Sequence, residues 1–528
     1  MIIYLFLKEI KSFRNKFMGN AFKKLNSEIN KFNDVLNTMS VLIWDSRTKM
    51  PKKGANSRGY QVGTLTSVAR DILLSSKMRK LLEDSQNETH NLDKDSFEKK
   101  TLSHLSEAIN YHDKIPEKLQ VKKAELEPLA HNAWAEAREK KDFNIFKPYL
   151  EEQVKIAIEQ AHCIGFKDHP YDALMQRFEP GETVNSLKLL FDNLKVGLGE
   201  ILDKISQIEQ PNKDFLFKEY PIDKQIEFST SIAKKFGYDF DRGRLDSTVH
   251  PFEISFTRDD VRITTRYYKN FINPSLFGTL HEAGHGIYEQ NVKEEYSRSA
   301  MTTDFLSFYA VGGVSFGAHE SQSRLYENHI GRSKIFWENH YNELVDCFPE
   351  TLKKVSADDF FKAVNVIEPS LIRVESDEST YDFHIMLRVD IESMLVDKSL
   401  KVSDLPVVWN DQIKKYLGLE VPNDSEGVLQ DIHWSGGQFG TFCNYTIGNV
   451  MAAQLIDTMD NSQPKIRTEI NKANYSPLLD WLKSNIHQHG RRYSRNELLE
   501  KCTGETLNPK PYIAYLKDKA SQVYGVKF

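Results

Sequence analysis

Cysteine is scarce in this chain: Cys163, Cys347, Cys443 and Cys502 are the four in 528 residues. None stands in a CxxC pair, which excludes a cysteine-built metal cage, and their wide spacing argues against a disulfide framework. Such sparse usage fits a reducing compartment. Long hydrophobic runs are missing too, since no stretch approaches the roughly 20 apolar residues that a membrane-spanning helix needs. The opening, Met1 to Leu7, is apolar but short, and Lys8, Lys11, Arg14 and Lys16 follow it, the reverse of a signal peptide's charge order. The chain therefore reads as cytoplasmic and free of membrane, with residues 1–19 an N-terminal extension of unknown role. Charge of one sign is not in excess: 70 basic against 75 acidic residues leave a net charge of −5, without the basic surplus of a nucleic-acid-binding surface. No repeat, low-complexity tract or Gly/Ser/Pro-rich linker divides the sequence, so residues 20–528 read as one domain.

What is present is an ordinary globular balance, 40% hydrophobic and 27% charged, and pervasive helical periodicity. From Phe22 to about Asp214 apolar residues recur three and four apart, clearly so over 97–112 and 118–141. Turns are expected at Pro51–Gly54, Pro116, Pro148, Pro170 and Glu179-Pro180-Gly181. The exception lies between Asp246 and Lys269. There Phe252–Phe256 and Val261–Tyr268 alternate with period two around Arg258-Asp259-Asp260, which predicts a small β-ribbon. Asn273-Pro274 opens the next helix, with proline in its first turn, and Ser356-Ala357-Asp358-Asp359 has the form of a capping box.

The helix opened by Pro274 carries His281-Glu282-Ala283-Gly284-His285. Two histidines four apart project from one helical face and can grip one zinc ion. Glu282 beside them can take a proton from a water in the metal's open position. This HExxH pattern also recurs by chance in helices, so its surroundings matter. Gly284 and Gly286 each cost roughly 1 kcal/mol relative to Ala in a helix interior, which points to close approach by a neighbouring strand or ligand. A third metal ligand is still needed, and the position six beyond His285 is Asn291, not histidine. Glu320, in His319-Glu320-Ser321-Gln322-Ser323-Arg324, is the candidate. His319 is a rival ligand, or a supporting or packing residue behind the site.

At this point the sequence resembles the carboxypeptidase Taq family of zinc carboxypeptidases. Asp260-Val261-Arg262-Ile263-Thr264 resembles its DxRxT motif, 281–285 its HExxH, and Glu320–Arg324 its ESQSR stretch. Ile372–Asp377 resembles IRxxAD with Ser376 in place of alanine, and Gly427–Trp434 resembles GxxQDxHW. The resemblance runs from about residue 20 to the C-terminus. It implies a mainly α fold, a single large helical body with a long central substrate cleft and the small β-ribbon beside the metal helix. It also implies release of single residues from the C-terminus of peptides, one zinc ion per chain (which cobalt can replace), and a homodimer. Two departures stand out. The spacing from His285 to Glu320 is longer than usual, which places extra residues near 297–309, read as a rim loop of the cleft. In the stretch after Trp434, Thr441 stands where the family has a tyrosine, while Tyr445 is kept.

An exopeptidase of this polarity needs a cation for the substrate's free carboxylate, and arginine meets a carboxylate bidentately. Arg262 and Arg373 are the candidates; the plainer reading of each is a structural ion pair, for Arg373 with Asp377. His433 and Tyr445 are candidate donors to the oxyanion or the substrate backbone, against plain packing in the cleft wall. His250 and His384 read as structural. The rival readings are a helical zinc oligopeptidase, which needs no carboxylate anchor, and a peptide-binding scaffold that has lost catalysis.

Overall fold

The computed structural model describes residues 19–528; most of the expected extension, residues 1–18, lies outside the described residues. Helix dominates, as the periodicity predicts. The first helix, Asn20–Thr48, buries Phe22, Leu25, Ile29, Phe32 and Leu36 on one face. Side-chain caps start many of its successors: Ser75, Ser96 and Thr183 each accept the backbone N–H three residues on, satisfying a donor the helix leaves orphaned. The capping box at Ser356 and Asp359 forms as expected. Among the described residues no helix is long and apolar enough to cross a membrane.

One expected turn is absent. Pro148 lies inside the helix Phe143–Ile164. An interior proline costs about 3 kcal/mol, but here Phe143, Phe146, Leu150 and Val154 bury a continuous stripe that holds the helix together around it.

The β-ribbon forms but is not complete as read. Strands β2 (Glu253–Thr257) and β3 (Asp260–Thr265) pair antiparallel, Ser255 opposite Val261. Strand β1 (Gly243–Ser247) then adds in parallel to the other edge of β3, giving the order β1-β3-β2. Its sequence, Gly-Arg-Leu-Asp-Ser, has no apolar alternation, and only Asp246 is buried; backbone pairing alone defines it. β3 also stops at Thr265 rather than Tyr268.

Two large apolar clusters meet along the helix Cys443–Ser462. Ile447 and Val450 belong to one, while Met451, Leu455 and Met459 belong to the other. A third cluster packs the N-terminal helices against Tyr296, Met301 and Phe305. The segment 297–309, expected as a rim loop, packs closely against these helices. Asn33 donates to Thr302 O and Thr303 Oγ1, His112 bonds Phe305 O at 2.9 Å, and Arg491 N donates to Met301 O at 3.0 Å. It stitches the N-terminal helices to the body, with Ser299, Thr303 and Phe305 buried and Ser297, Arg298 and Tyr309 exposed.

Candidate active site

The helix Asn273–Gln290 carries His281, Glu282 and His285 and is buried on nearly every side. A second helix, Phe316–Arg324, brings Glu320. Glycine decides how closely they meet. A Cβ on Gly284 would fall 2.4 Å from Gln322 O and 2.6 Å from Ser323 Cα, so the helices touch backbone to backbone. Gly286 instead makes room for the Tyr238 ring and for Ile263 of β3. Behind Glu320, a Cβ on Gly448 would fall 2.5 Å from its Cγ. The stem of Glu320 is thus clamped between the histidine helix and the helix Cys443–Ser462. At its start, Ser315 caps Ala318 N, Phe316 N donates to Phe178 O, and Gly317 N donates to Glu179. Glu179 is in turn held by the buried Arg495 at 3.0 Å.

This close packing yields a paired prediction. Gly284→Ala pushes backbone from backbone and should destabilise by about 1–3 kcal/mol, the usual cost of overpacking, while lowering metal occupancy. Gly63→Ala, in an exposed helix with nothing within 4 Å of the new methyl, should stabilise by about 0.5–1 kcal/mol. Thermal melts of the two variants check the contrast; a Gly284→Ala protein as stable as wild type refutes the close-packing account.

His281 Nε2 lies 3.6 Å and His285 Nε2 3.4 Å from the same atom, Glu320 Oε2, and the three ligand atoms all lie within 4.8 Å of one another. Ligands at about 2.0–2.1 Å in a tetrahedron sit about 3.4 Å apart, so the two distances to Glu320 Oε2 suit a small divalent cation. The outer atoms are already engaged. Arg324 Nε donates to Glu320 Oε1 at 2.7 Å and Ser323 Oγ donates to Oε2 at 3.3 Å, with Oε2 also facing the two histidines. His281 Nδ1 lies 2.9 Å from Glu327 Oε2, and Arg332 and Arg324 hold Glu327. Glu327 stands on a π-helical turn, Leu325–Gly331, directly after the Glu320 helix; such turns concentrate at functional sites. His285 Nδ1 faces His319. The imidazoles remain 19% and 13% exposed, so solvent reaches the cluster.

Glu282 is 6% exposed and has no hydrogen-bond partner among the described residues. Burial lifts its carboxyl to about 7, with His281 opposing and Glu320 and Glu327 reinforcing the rise. Glu320 behaves oppositely: burial opposes its ionisation, but Arg324, His281 and His285 hold it far below the usual carboxylate range. Burial, with His319 adding, pushes His285 down to about 3, so its ring is neutral.

The remaining expected residues divide. Arg373 is buried, but its partner is Asp431, not Asp377: Nε and Nη2 donate to Asp431 Oδ1 at 3.1 and 2.9 Å. Asp377 instead accepts from Ser379 N and from Thr380 N and Oγ1 at the start of the helix Tyr381–Val396. Asp431 also binds Arg388, at 2.5 Å from Nε. Arg373 Nη1 donates to Tyr381 Oη, and its guanidinium lies 5.1 Å from the Tyr445 ring centre. Tyr445 has no hydrogen bond to its hydroxyl among the described residues, and Glu320 is close enough to act on it electrostatically. His433 packs on Phe442, with Nδ1 3.8 Å from Asp431 Oδ1. Burial takes it down to about 4. Thr441 is buried and its hydroxyl accepts from Asn444 Nδ2 at 3.2 Å.

Arg262 stands apart. It forks onto Asp260 at 2.9 Å through both Nε and Nη2 and lies over Trp44 and Phe256. None of these contacts belongs to the histidine cluster. His250 is exposed near Arg266 and Arg138. His384 is buried with Nε2 on Ser370 O. Sequence reading missed Asp431, Arg388, Tyr381, Glu327 and Glu289. Glu289 alone had a local signal, one helical turn beyond His285.

The family model described as Carboxypeptidase Taq (M32) metallopeptidase matches residues 24–520. The chain is 39% identical to Carboxypeptidase 1 of Bacillus subtilis over 487 residues, which cover 92% of this chain and 95% of that protein. It is 37% identical to Thermostable carboxypeptidase 1 of Thermus thermophilus over 492 residues, 91% of this chain and 94% of the other. The crystal structure of an M32 carboxypeptidase from Deinococcus radiodurans R1 superposes with a TM-score of 0.92 at 32% identity, covering 96% of this chain and all of that one.

Proposed function

Since the chain belongs to the carboxypeptidase Taq (M32) family of metallopeptidases and is a metallocarboxypeptidase, we propose that it uses one zinc ion, with Glu282 as general base, to release single amino acids from the free C-terminus of peptides. The observation that carries this reading is the convergence of His281 Nε2, His285 Nε2 and Glu320 Oε2 beside an unpaired Glu282. These three side chains hold the metal. Zinc supplies a Lewis acid and lowers the pKa of a coordinated water toward about 7; cobalt can take its place.

Glu282 receives the proton of the attacking water, because it adjoins His281 and its oxygens have no competing donor among the described residues. Arg373 receives the substrate carboxylate. Asp431 carries one negative charge between two arginines, so a positive charge remains for a second anion. Arg262 has no such surplus, since Asp260 matches it one to one, and its place in this reading is structural. The Tyr445 phenol, raised by burial although Arg373 opposes, stays protonated and donates to the developing oxyanion. His433, neutral, donates to the substrate backbone. A cytoplasmic homodimer acting on peptides, not on nucleic acid or membrane, completes the proposal.

Metal removal tests it. Chelation should abolish hydrolysis, and one equivalent of zinc or cobalt should restore it. Glu320→Ala should weaken metal binding by more than about 100-fold and His319→Ala less, because outer partners are worth about 10–100-fold. Full activity in metal-free protein, or the opposite ranking by elemental analysis, overturns the assignment.

A further inference from the structure

His281 turns its second ring nitrogen to a carboxylate, but His285 turns its own to another imidazole. His285 Nδ1 lies 2.6 Å from His319 Nδ1. The ring centres are 4.5 Å apart with planes 22° from parallel, so the two rings lie nearly parallel and offset, with their Nδ1 atoms as the point of contact. The far side of His319 is equally defined. Its Nε2 lies 3.0 Å from Glu289 Oε1, whereas the Glu253 carboxyl, at 3.9 Å, is out of hydrogen-bond reach.

Glu289 is itself built in. Gly312 N donates to Oε2 and Gly313 N to Oε1, both at 2.8 Å. The two glycines are there for space: a Cβ on Gly313 would fall 2.4 Å from His319 Cδ2, and one on Gly312 would fall 2.6 Å from Val292 Cγ2 and 3.3 Å from Glu289 Oε2. Arg491 Nη1 pins the turn by donating to Gly313 O at 2.6 Å.

The protons of this chain can be placed. Glu289 takes backbone N–H groups on both oxygens and is an acceptor throughout, so His319 carries its proton on Nε2. With His285 Nε2 turned to the metal, the ring proton sits on Nδ1, and His319 Nδ1, 2.6 Å away, is the atom placed to accept it. With its proton on Nδ1, His285 presents a bare Nε2 toward Glu320 Oε2. Glu289 sits one turn beyond His285 on the same helix, and the His319 ring fills the gap between them.

We propose that Glu289 and His319 are positioning residues that lock His285 in the Nδ1–H tautomer and so aim its Nε2 lone pair at the metal. This rests on the reading of His285 as a ligand. His319 is then neither a fourth ligand nor packing: it carries the orienting effect of a carboxylate through one extra ring.

His319→Phe tests it, because the ring still fills the space beside Tyr288 and Gly313 while the Nδ1 acceptor is lost. Chelator competition should show zinc affinity about 10–100-fold weaker, and the visible absorption of the cobalt-loaded protein should shift. Glu289→Gln retains one acceptor oxygen and should weaken binding by less, in the same direction. If His319→Phe fails to fold, Glu289→Gln decides alone. Wild-type zinc affinity and an unchanged cobalt spectrum in either folded variant overturn the proposal. His285→Ala is the control for the premise: retention of metal by that variant sinks the ligand assignment itself.

Discussion

Glu282→Gln keeps its metal and loses about 10²–10⁴-fold in kcat, the span that a positioned general base contributes. The substitution is nearly isosteric and touches none of the three ligand atoms, so elemental analysis should return the wild-type metal content. Because no donor among the described residues occupies the Glu282 oxygens, the amide breaks no hydrogen bond there, and the melting temperature should stay close to wild type. Removing the charge also removes the cost of burying it beside Glu320 and Glu327, which acts against destabilisation. KM should change little, since the base acts on the water rather than on the bound peptide. Steady-state kinetics beside metal analysis check all of this. Wild-type turnover in the variant would exclude Glu282 as the base, and loss of metal would mean that the carboxylate holds the site together rather than serving the reaction.

The parts of the site that were legible in the sequence are those fixed by local geometry. His281 and His285 share a face because a helix repeats every 3.6 residues, and Ser356 with Asp359 caps a helix by the same logic. Glu320 was legible through the resemblance of its flanking residues, and Gly284 through its cost in a helix, although the close neighbour is a helix backbone, not a strand or ligand. The rest depends on tertiary pairing. Arg373 finds Asp431 rather than Asp377 because the nearer carboxylate is taken up by Ser379 N, Thr380 N and Thr380 Oγ1 in the turn before its helix. Glu327 reaches His281 from a π turn, which no α-helical spacing announces. Strand β1 is held by backbone pairing with β3 and has no apolar rhythm to read. Pro148 misled because a proline is a strong local signal, yet the stripe from Phe143 to Val154 outweighs it. The aromatic content of 297–309 suggested a cleft rim but did not announce that Phe305 would be buried against the N-terminal helices.

The polarity of the enzyme turns on which arginine meets the substrate, and charge accounting separates the two. Arg262 is matched by Asp260, whose side chain is 42% exposed; that pair is complete and partly solvated. Arg373 shares Asp431 with the fully buried Arg388, so two buried positive charges face one negative charge. A peptide carboxylate entering beside Tyr381 and Tyr445 would complete that balance. A charge-assisted contact of this kind contributes typically about 1.5–3 kcal/mol, which corresponds to about 10- to 150-fold in rate. Amidating the peptide's C-terminus removes the charge and one acceptor oxygen, so wild-type kcat/KM should fall by that factor. In Arg373→Ala the ratio of free to amidated peptide should collapse toward one, with Asp431 still paired to Arg388, so that folding survives. Arg262→Ala should leave the ratio intact and cost little stability, as partly exposed pairs do. Collapse of the ratio in Arg262→Ala alone would move the anchor to that residue. Equal cleavage of free and amidated peptides by the wild type, with internal fragments among the products, would mean that no arginine reads the terminus. The His281, His285 and Glu320 cluster would then serve an enzyme that cuts within chains.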